Sequence, residues 1–326
     1  METDRQEDDG KQTGIFRFIP EKYLYVIGVV CCTLHAFSRS TSTSLTKLST
    51  LSAPMLAIYN AVLVSIASLI LAIQAKASLF GERSDRVWLA IRAVGSIGYI
   101  ASMYSIKFIP VTETTAIQLS SPIFGMILAR FVLKEPFGLY EGVMLILTVI
   151  GTLLVINPVT ILASLESKVT VFDHIIGCSL AFFNSICLAT MILIFRKLKH
   201  LHYSVLMFWG GVSTTVMCSF VIAVTDSFTL PCSLEDGFIS VGSGVTGGLA
   251  LLFLTLASRY CTVGQTMIVK SVEVIFAAVY QISVFKETIV LSTVFGSVLI
   301  CLSVIFISIK KKLSHQLKKI TCQVSE

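Results

Sequence analysis

Apolar runs of bilayer length, each closed by a short polar or basic stretch, follow one another along nearly the whole chain. A helix needs about 20 mostly apolar residues to cross a membrane. By that measure the spacing predicts spans at about 23–46, 53–75, 87–107, 112–134, 137–157, 174–195, 203–225, 238–258, 263–285 and 288–309. The expected fold is therefore an all-α membrane protein with ten transmembrane helices. Residues 1–22 read as a charged, disordered arm, and 310–326 as a tail carrying Lys310, Lys311, Lys312, Lys318 and Lys319.

One stretch occurs twice. Val263–Glu287 (VGQTMIVKSVEVIFAAVYQISVFKE) lies without a gap on Val111–Glu135 (VTETTAIQLSSPIFGMILARFVLKE) at an offset of 152 residues. Val111/Val263, Thr114/Thr266, Ile123/Ile275, Phe124/Phe276, Val132/Val284, Lys134/Lys286 and Glu135/Glu287 are identical pairs. The chain thus divides into two five-helix repeats, 23–158 and 174–309, joined by 159–173. Five is odd, so the second repeat enters the membrane upside down relative to the first. Inverted repeats place a solute site near the bilayer midplane, where the halves meet.

Charge sets the expected orientation. With both termini in the cytoplasm, 17 of the 25 lysines and arginines fall on the cytoplasmic side. Only Lys47, Lys107, Lys168 and Lys286 fall on the other, and Arg39, Arg92, Arg130 and Lys270 lie inside spans. That bias fits an even number of spans with both ends inside.

Composition removes other classes. Hydrophobic residues make up 55% of the 326, charged residues only 13%, and mean hydropathy is +0.85, where a soluble domain carries about 25% charged residues. The net charge of +6 sits at span ends rather than on one soluble face, which argues against nucleic acid as a partner. Nine cysteines show neither a disulfide framework nor metal spacing. The first twenty residues are too polar for a cleavable signal peptide. No nucleophile, P-loop or zinc-protease motif is present, so neither an enzyme nor a cofactor is expected.

The candidate chemistry lies inside the spans, where an ionisable group is expensive and normally faces a cavity or the bundle interior. Lys270 and Glu273, three apart on one helix face, come first. Lys270 would meet an anionic solute and Glu273 would release it or exchange a proton. The bland reading is a structural ion pair. Gln118 and Ser121 hold the same depth in the twin stretch, where Pro122 either frees the Gln118 carbonyl or merely kinks the helix. His35 and Arg39 sit beside the polar run Ser38–Thr46, which should point inward; Arg39 could grip a carboxylate or phosphate. Tyr59, Asn60, Tyr99 and Tyr104 suit a polar pocket. Arg92 fits either a ligand contact or a side chain reaching to headgroups, and Arg130 fits the latter. Glu113 reads as a helix N-terminal acid and Glu141 as a capping or mouth residue. Gly138-x-x-x-Gly142 and Gly244-x-x-x-Gly248 read as helix-packing points.

Ala116–Pro122 (AIQLSSP), Lys134-Glu135, the span ending Ile156-Asn157-Pro158, and Val263–Glu287 together resemble the EamA-type branch of the drug/metabolite transporter superfamily over about 23–310. The chain is most similar to solute carrier family 35, subfamily G. Tyr59-Asn60 stands where that family often shows Phe-Arg. The resemblance implies a ten-helix secondary carrier for organic anions or polar metabolites, dicarboxylates or citrate among them. It also implies a home in the plasma membrane or the endoplasmic reticulum and Golgi. Nucleotide-sugar carriers share that fold and often carry a lysine at the place of Lys270.

The expected function is alternating-access transport of a small polar, anionic metabolite. Lys270, Glu273, Arg39, Gln118, Ser121, Tyr59, Asn60, Arg92 and His35 are the candidate substrate contacts, and a proton the candidate coupling ion. Two rivals stand beside it: a nucleotide-sugar antiporter of the endoplasmic reticulum or Golgi, and a regulatory membrane protein that keeps the fold but binds a partner. A homodimer is compatible with either role.

Overall fold

A computed structural model describes residues 21–108, 117–134 except 119, 138–156, 171–284 except 226 and 232, and 291–306 except 293 and 297. The arm before residue 21, Glu113, most of the 159–173 connection, Lys286 and the tail beyond 306 lie outside the described residues. Within them all regular structure is helical. In chain order the helices are α1 (Glu21–Leu48), α2 (Ala53–Gln74), α3 (Arg83–Val94), α4 (Ser96–Phe108), α5 (Ser121–Leu128, continued as a π-helical turn Ala129–Leu133) and α6 (Leu139–Ile156). Then come α7 (Val171–Lys197), α8 (Tyr203–Thr225), α9 (Leu234–Tyr260), α10 (Val263–Lys270) and α11 (Glu273–Ser283). A last helical stretch lies within Val294–Phe306.

Each apolar segment predicted from the sequence contains one of these helices or a consecutive pair. Six segments are individually long and apolar enough to cross a membrane: Leu24–Thr46, Pro54–Gln74, Ile175–Lys197, Tyr203–Thr225, Leu234–Tyr260 and Val263–Tyr280. Their outward faces are apolar, with Ile66, Ile73, Val216, Phe220 and Phe238 all exposed, a surface suited to hydrocarbon rather than water.

The chain's caps explain where helices begin. Pro54 occupies the first turn of α2, where its missing N–H removes no helical bond. Glu82 and Asp85 form a capping box that starts α3 four residues before the apolar pattern does. Ser233 accepts the Asp236 N–H at 3.1 Å and extends α9 in the same way. A Thr262/Gln265 box starts α10 directly after α9 ends. Between α3 and α4 the Gly95 N–H reaches the Ile91 carbonyl at 3.0 Å and the Gly98 N–H the Gly95 carbonyl at 3.2 Å, a tightened turn that joins the two into one rod.

Neighbour relations have a simple symmetry. α1 lies along α9 while α4 lies along α7, and α2 lies along α8. α1 also meets α10 and α11 while α7 meets α5, and α5 crosses α10. Exchanging α1 with α7, α2 with α8, α3–α4 with α9, and α5 with α10–α11 maps these pairings onto themselves. The contacts at the bundle ends obey the same exchange. At the end carrying Lys76, Arg83, Arg86, Lys197 and Arg259 (the basic end), Asp85 at the start of α3 meets His200 Nε2 at 3.1 Å. At the opposite end Asp236, in the equivalent turn of α9, accepts bonds from the Thr50 hydroxyl and from the Thr50 N–H at 3.2 Å.

The apolar core sits toward the basic end, where Leu89, Ile192, Phe195, Leu206, Leu254 and Met267 are buried together. Close helix approach depends on small residues. A Cβ at Gly211 of α8 would come within 2.8 Å of the Ala61 carbonyl on α2, and one at Gly125 of α5 within 2.7 Å of the Met267 side chain on α10. Gly244 and Gly248 of α9 face Leu63 and Val64 of α2, in keeping with their reading as packing points.

Candidate functional site

The Val263–Glu287 stretch, expected as one continuous helix, is broken in its middle. Between α10 and α11 the bonds shorten to i→i+3: Val272 N–H to Val269 O at 3.1 Å and Ile275 N–H to Val272 O at 3.0 Å. Its twin breaks at the same register. Ser120 N–H meets Ile117 O at 3.0 Å and Ile123 N–H meets Ser120 O at 3.0 Å. Subtracting the offset turns each bond of one set into a bond of the other. Pro122 is therefore not the cause of the break, because Val274 holds its place in the second copy. Proline merely fits the first turn of the α5 that the break begins.

At the α10–α11 break the ionisable groups converge. Lys270 Nζ donates to Glu273 Oε2 at 3.0 Å. Arg39 Nε lies 3.9 Å from Glu273 Oε1, and His35 Nε2 lies 3.9 Å from Oε2. Three basic side chains thus surround one carboxylate. The Lys270 and Glu273 side chains remain 20% and 23% accessible, so the pair is not fully sealed in the core. From Val263, Glu273 lies about 15 Å along the helix axis, half the thickness of a hydrocarbon core of about 30 Å.

His35 is held in one tautomer. Its Nδ1 lies 2.8 Å from the Ala250 carbonyl on α9. A carbonyl only accepts, so Nδ1 carries the hydrogen. Nε2 is then the open nitrogen; it is buried, has no hydrogen-bond partner, and faces Glu273. Ser40 binds the Glu273 backbone carbonyl at 2.8 Å, which ties α1 to the start of α11.

The polar run of α1 divides between two faces. Ser38, Ser40 and Ser42 are buried, and Ser42 donates to Ser243 O at 2.9 Å. Thr43 lies on an exposed position and Thr41 on a half-buried one, and they return their hydroxyls to the Arg39 and Phe37 carbonyls one turn back. An inward direction for the whole run is thus corrected: a threonine that bonds its own helix needs no polar neighbour. Thr41 also meets the Tyr280 hydroxyl of α11 at 2.6 Å.

The remaining candidates make contacts of their own. Gln118 Nε2 donates to the Ser102 hydroxyl at 2.8 Å, and Ser121 is buried at the start of α5. The Asn60 amide nestles against Gly247 of α9 near Ser42, while Tyr59 beside it is half-buried. Tyr99 of α4 lies against Arg39. Arg92 makes none of these contacts. Its guanidinium is buried against Phe195 and Gly210, so it does not reach out to headgroups, whereas Arg130 is exposed on the π-helical turn. Glu141 accepts the Gly138 N–H at 3.1 Å, the capping role expected of it. Ala250, Ser243 and Gly210 had no signal in the sequence, because a carbonyl, a serine and a glycine on helix surfaces gain meaning only from what packs against them.

A family model described as the EamA-like transporter family matches residues 26–157 and 175–309, one stretch in each half of the chain. The chain belongs to this family. Among EamA-like relatives, the human protein named solute carrier family 35 member G1 is homologous, 26% identical over 241 residues. That match covers 72% of this chain and 66% of the human one, so the chain spans just under two-thirds of that relative's length. The S-adenosylmethionine uptake transporter of Rickettsia prowazekii (strain Madrid E) is 27% identical over 221 residues, 68% of this chain and 71% of its own. A solved crystal structure superposes with a TM-score of 0.72 at 10% identity, covering 87% of this chain and 96% of that one. At that identity the likeness carries the fold alone. The chain is accordingly a multi-pass helical membrane protein of a transporter family, built as two EamA repeats.

Proposed function

We propose that this EamA-like protein is a ten-span, inverted-repeat secondary carrier that moves a small polar, anionic metabolite by alternating access. The observation that carries the reading is the Lys270–Glu273–Arg39–His35 group at the break between α10 and α11. Lys270 and Arg39 set two positive charges against the one negative charge of Glu273. Such a surplus favours a carboxylate or phosphate group over the cationic solute named for the rickettsial relative. Ion groups this deep are expensive against lipid and suit a solute pathway. Lys270 and Arg39 hold the anion, while Gln118, Ser121, Tyr59 and Asn60 offer hydrogen bonds from the first half. Arg92 lies outside this central group.

Glu273 is the exchangeable counter-ion: when the anion engages Lys270, the carboxylate turns to His35. The open His35 Nε2 takes the coupling proton, and the resulting imidazolium pairs with Glu273. The exchange symmetry of the helix contacts supports inverted repeats, and the broken twin helices supply the elements that rock about the site. In this reading the basic end faces the cytoplasm, together with both termini, and the membrane is the plasma membrane or that of the endoplasmic reticulum or Golgi.

The test is Lys270→Ala in proteoliposomes screened against a panel of carboxylates and phosphate esters. Uptake of an anion is expected with the unaltered protein and is abolished in the variant, while the folded yield is kept. Unchanged uptake removes Lys270 from the site.

A further inference from the structure

Arg92 is the one buried arginine of the bundle that the central site does not use and whose guanidinium makes neither a hydrogen bond nor an ion pair among the described residues. It is 5% exposed, and its Nε has no hydrogen-bond partner. Among the described residues its guanidinium lies over the Phe195 ring, whose centroid is 5.3 Å from Cζ. Arg259, the other arginine with a bare Nε, differs: its terminal nitrogen donates to the Leu201 carbonyl and ties a loop. A guanidinium brings five N–H donors. Leaving it uncompensated inside a membrane bundle is destabilising unless a counter-charge arrives.

Polar groups stand beside Arg92. Gly210 of α8 makes room for the guanidinium: a Cβ there would lie 2.8 Å from Cζ. One turn further along the α3–α4 rod, Ser96 meets the Ser213 hydroxyl at 2.7 Å and the Thr214 hydroxyl at 3.2 Å, both on α8; Ser213 and Thr214 also donate to the Gly210 carbonyl at 3.0 and 2.8 Å. Ser96 and Ser213 are themselves buried. A fixed cation and three hydroxyls therefore gather in one seam between α3–α4 and α8, and no carboxylate among the described residues lies within ion-pair distance of the arginine.

The seam also leads somewhere. Arg92, Ser96 and Tyr99 recur at i, i+4 and i+7, so they share one face of the rod. Tyr99 lies against Arg39 of the central group. Seven residues of helix span about 10 Å, and Arg92 is displaced from Tyr99 toward the end where α3 begins, the basic end.

We propose that Arg92, with the hydroxyls of Ser96, Ser213 and Thr214 turned from one another and from the Gly210 carbonyl, is a second anion station, taking one carboxylate or phosphate group between the central site and the basic end. The proposal rests on the carrier reading above, in that the bound group belongs to the travelling solute. The same chemistry suits the phosphate of a lipid reaching in from the leaflet, and the test separates the two sources. The chain's two tryptophans, Trp88 and Trp209, both pack on the core cluster that contains Phe195, the ring beside the Arg92 guanidinium. Their fluorescence reports on the station without any label.

Full-length protein in detergent is titrated with inorganic phosphate, with succinate, and with a short-chain phosphatidic acid. A saturable tryptophan change with phosphate or succinate is expected. Its midpoint should rise about tenfold or more in Arg92→Gln, as loss of a charge-assisted bond implies. Gly210→Ala keeps the charge but fills the guanidinium's space, and should weaken the response even if Arg92→Gln fails to fold. Lys270→Gln should keep the tryptophan response while anion uptake is lost, so the failure of either reading shows separately. A response to the phosphatidic acid alone, no response to any probe, or an unshifted midpoint in both Arg92→Gln and Gly210→Ala would overturn the station.

Discussion

Glu273 is the side chain on which the central group turns. It is the single carboxylate within 4.0 Å of Lys270, Arg39 and His35 among the described residues, and its backbone carbonyl anchors Ser40. Glu273→Gln keeps shape and hydrogen-bonding capacity but removes the charge that compensates two cations. Breaking a fully buried pair costs about 3–5 kcal/mol; with the carboxylate partly accessible the loss of stability should fall below that range. Uptake should vanish in this variant. In His35→Gln it should persist but lose its dependence on pH, because the Ala250 carbonyl fixes which nitrogen faces Glu273. Uptake measured across pH in proteoliposomes checks both, and a proton-independent wild type would remove the coupling role. At this scale the sequence was informative about charge and depth. Lys270, Glu273 and Arg39 were legible because ions inside apolar runs stand out, whereas the pairing of Arg39 with Glu273, 234 positions away, was not.

Helix breaks belong to the next scale. A proline inside an apolar run reads as a kink, and Pro122 was weighed that way. The twin helix shows the same shortened bonds around Val272 without any proline, so the break follows from the register of the repeat and its packing. Pro122→Ala is accordingly expected to change thermal stability by less than about 1 kcal/mol and to leave uptake near that of the wild type. A large loss in either would return the break to the proline. Glycines sort in a similar way. Gly211→Ala drives a Cβ toward the Ala61 carbonyl at 2.8 Å, which backbone cannot easily yield, and should lower the melting temperature by several degrees. Gly237→Ala meets nothing within 4 Å and should not. Both glycines look alike in the sequence; only the neighbouring helix distinguishes them.

On the scale of the whole molecule, the exchange symmetry links the two halves more firmly than sequence identity does. Asp85 and Asp236 occupy equivalent turns of their rods and bind equivalent loops at opposite ends, yet one partner is His200 and the other Thr50. The proposed ten-span arrangement puts residue 200 and residue 228 on opposite sides of the membrane. In sealed microsomes an impermeant maleimide should label His200→Cys directly and Phe228→Cys only after detergent, both positions being exposed. Labelling of both under the same condition would rule out the inverted arrangement.

What the sequence determined by itself was everything governed by local hydrophobicity and by self-similarity: the apolar segments, their doubling at an offset of 152, the charge bias and the family. These are properties of windows of chain, and transfer between water and hydrocarbon acts on each window independently. Tertiary structure alone decided which buried polar groups have partners. It gave Lys270 and Arg39 a shared carboxylate, turned half of the α1 hydroxyls back onto their own helix, and set Arg92 over an aromatic face with no counter-charge among the described residues. Satisfaction of a buried charge depends on atoms hundreds of residues away, and no pattern within one helix encodes it.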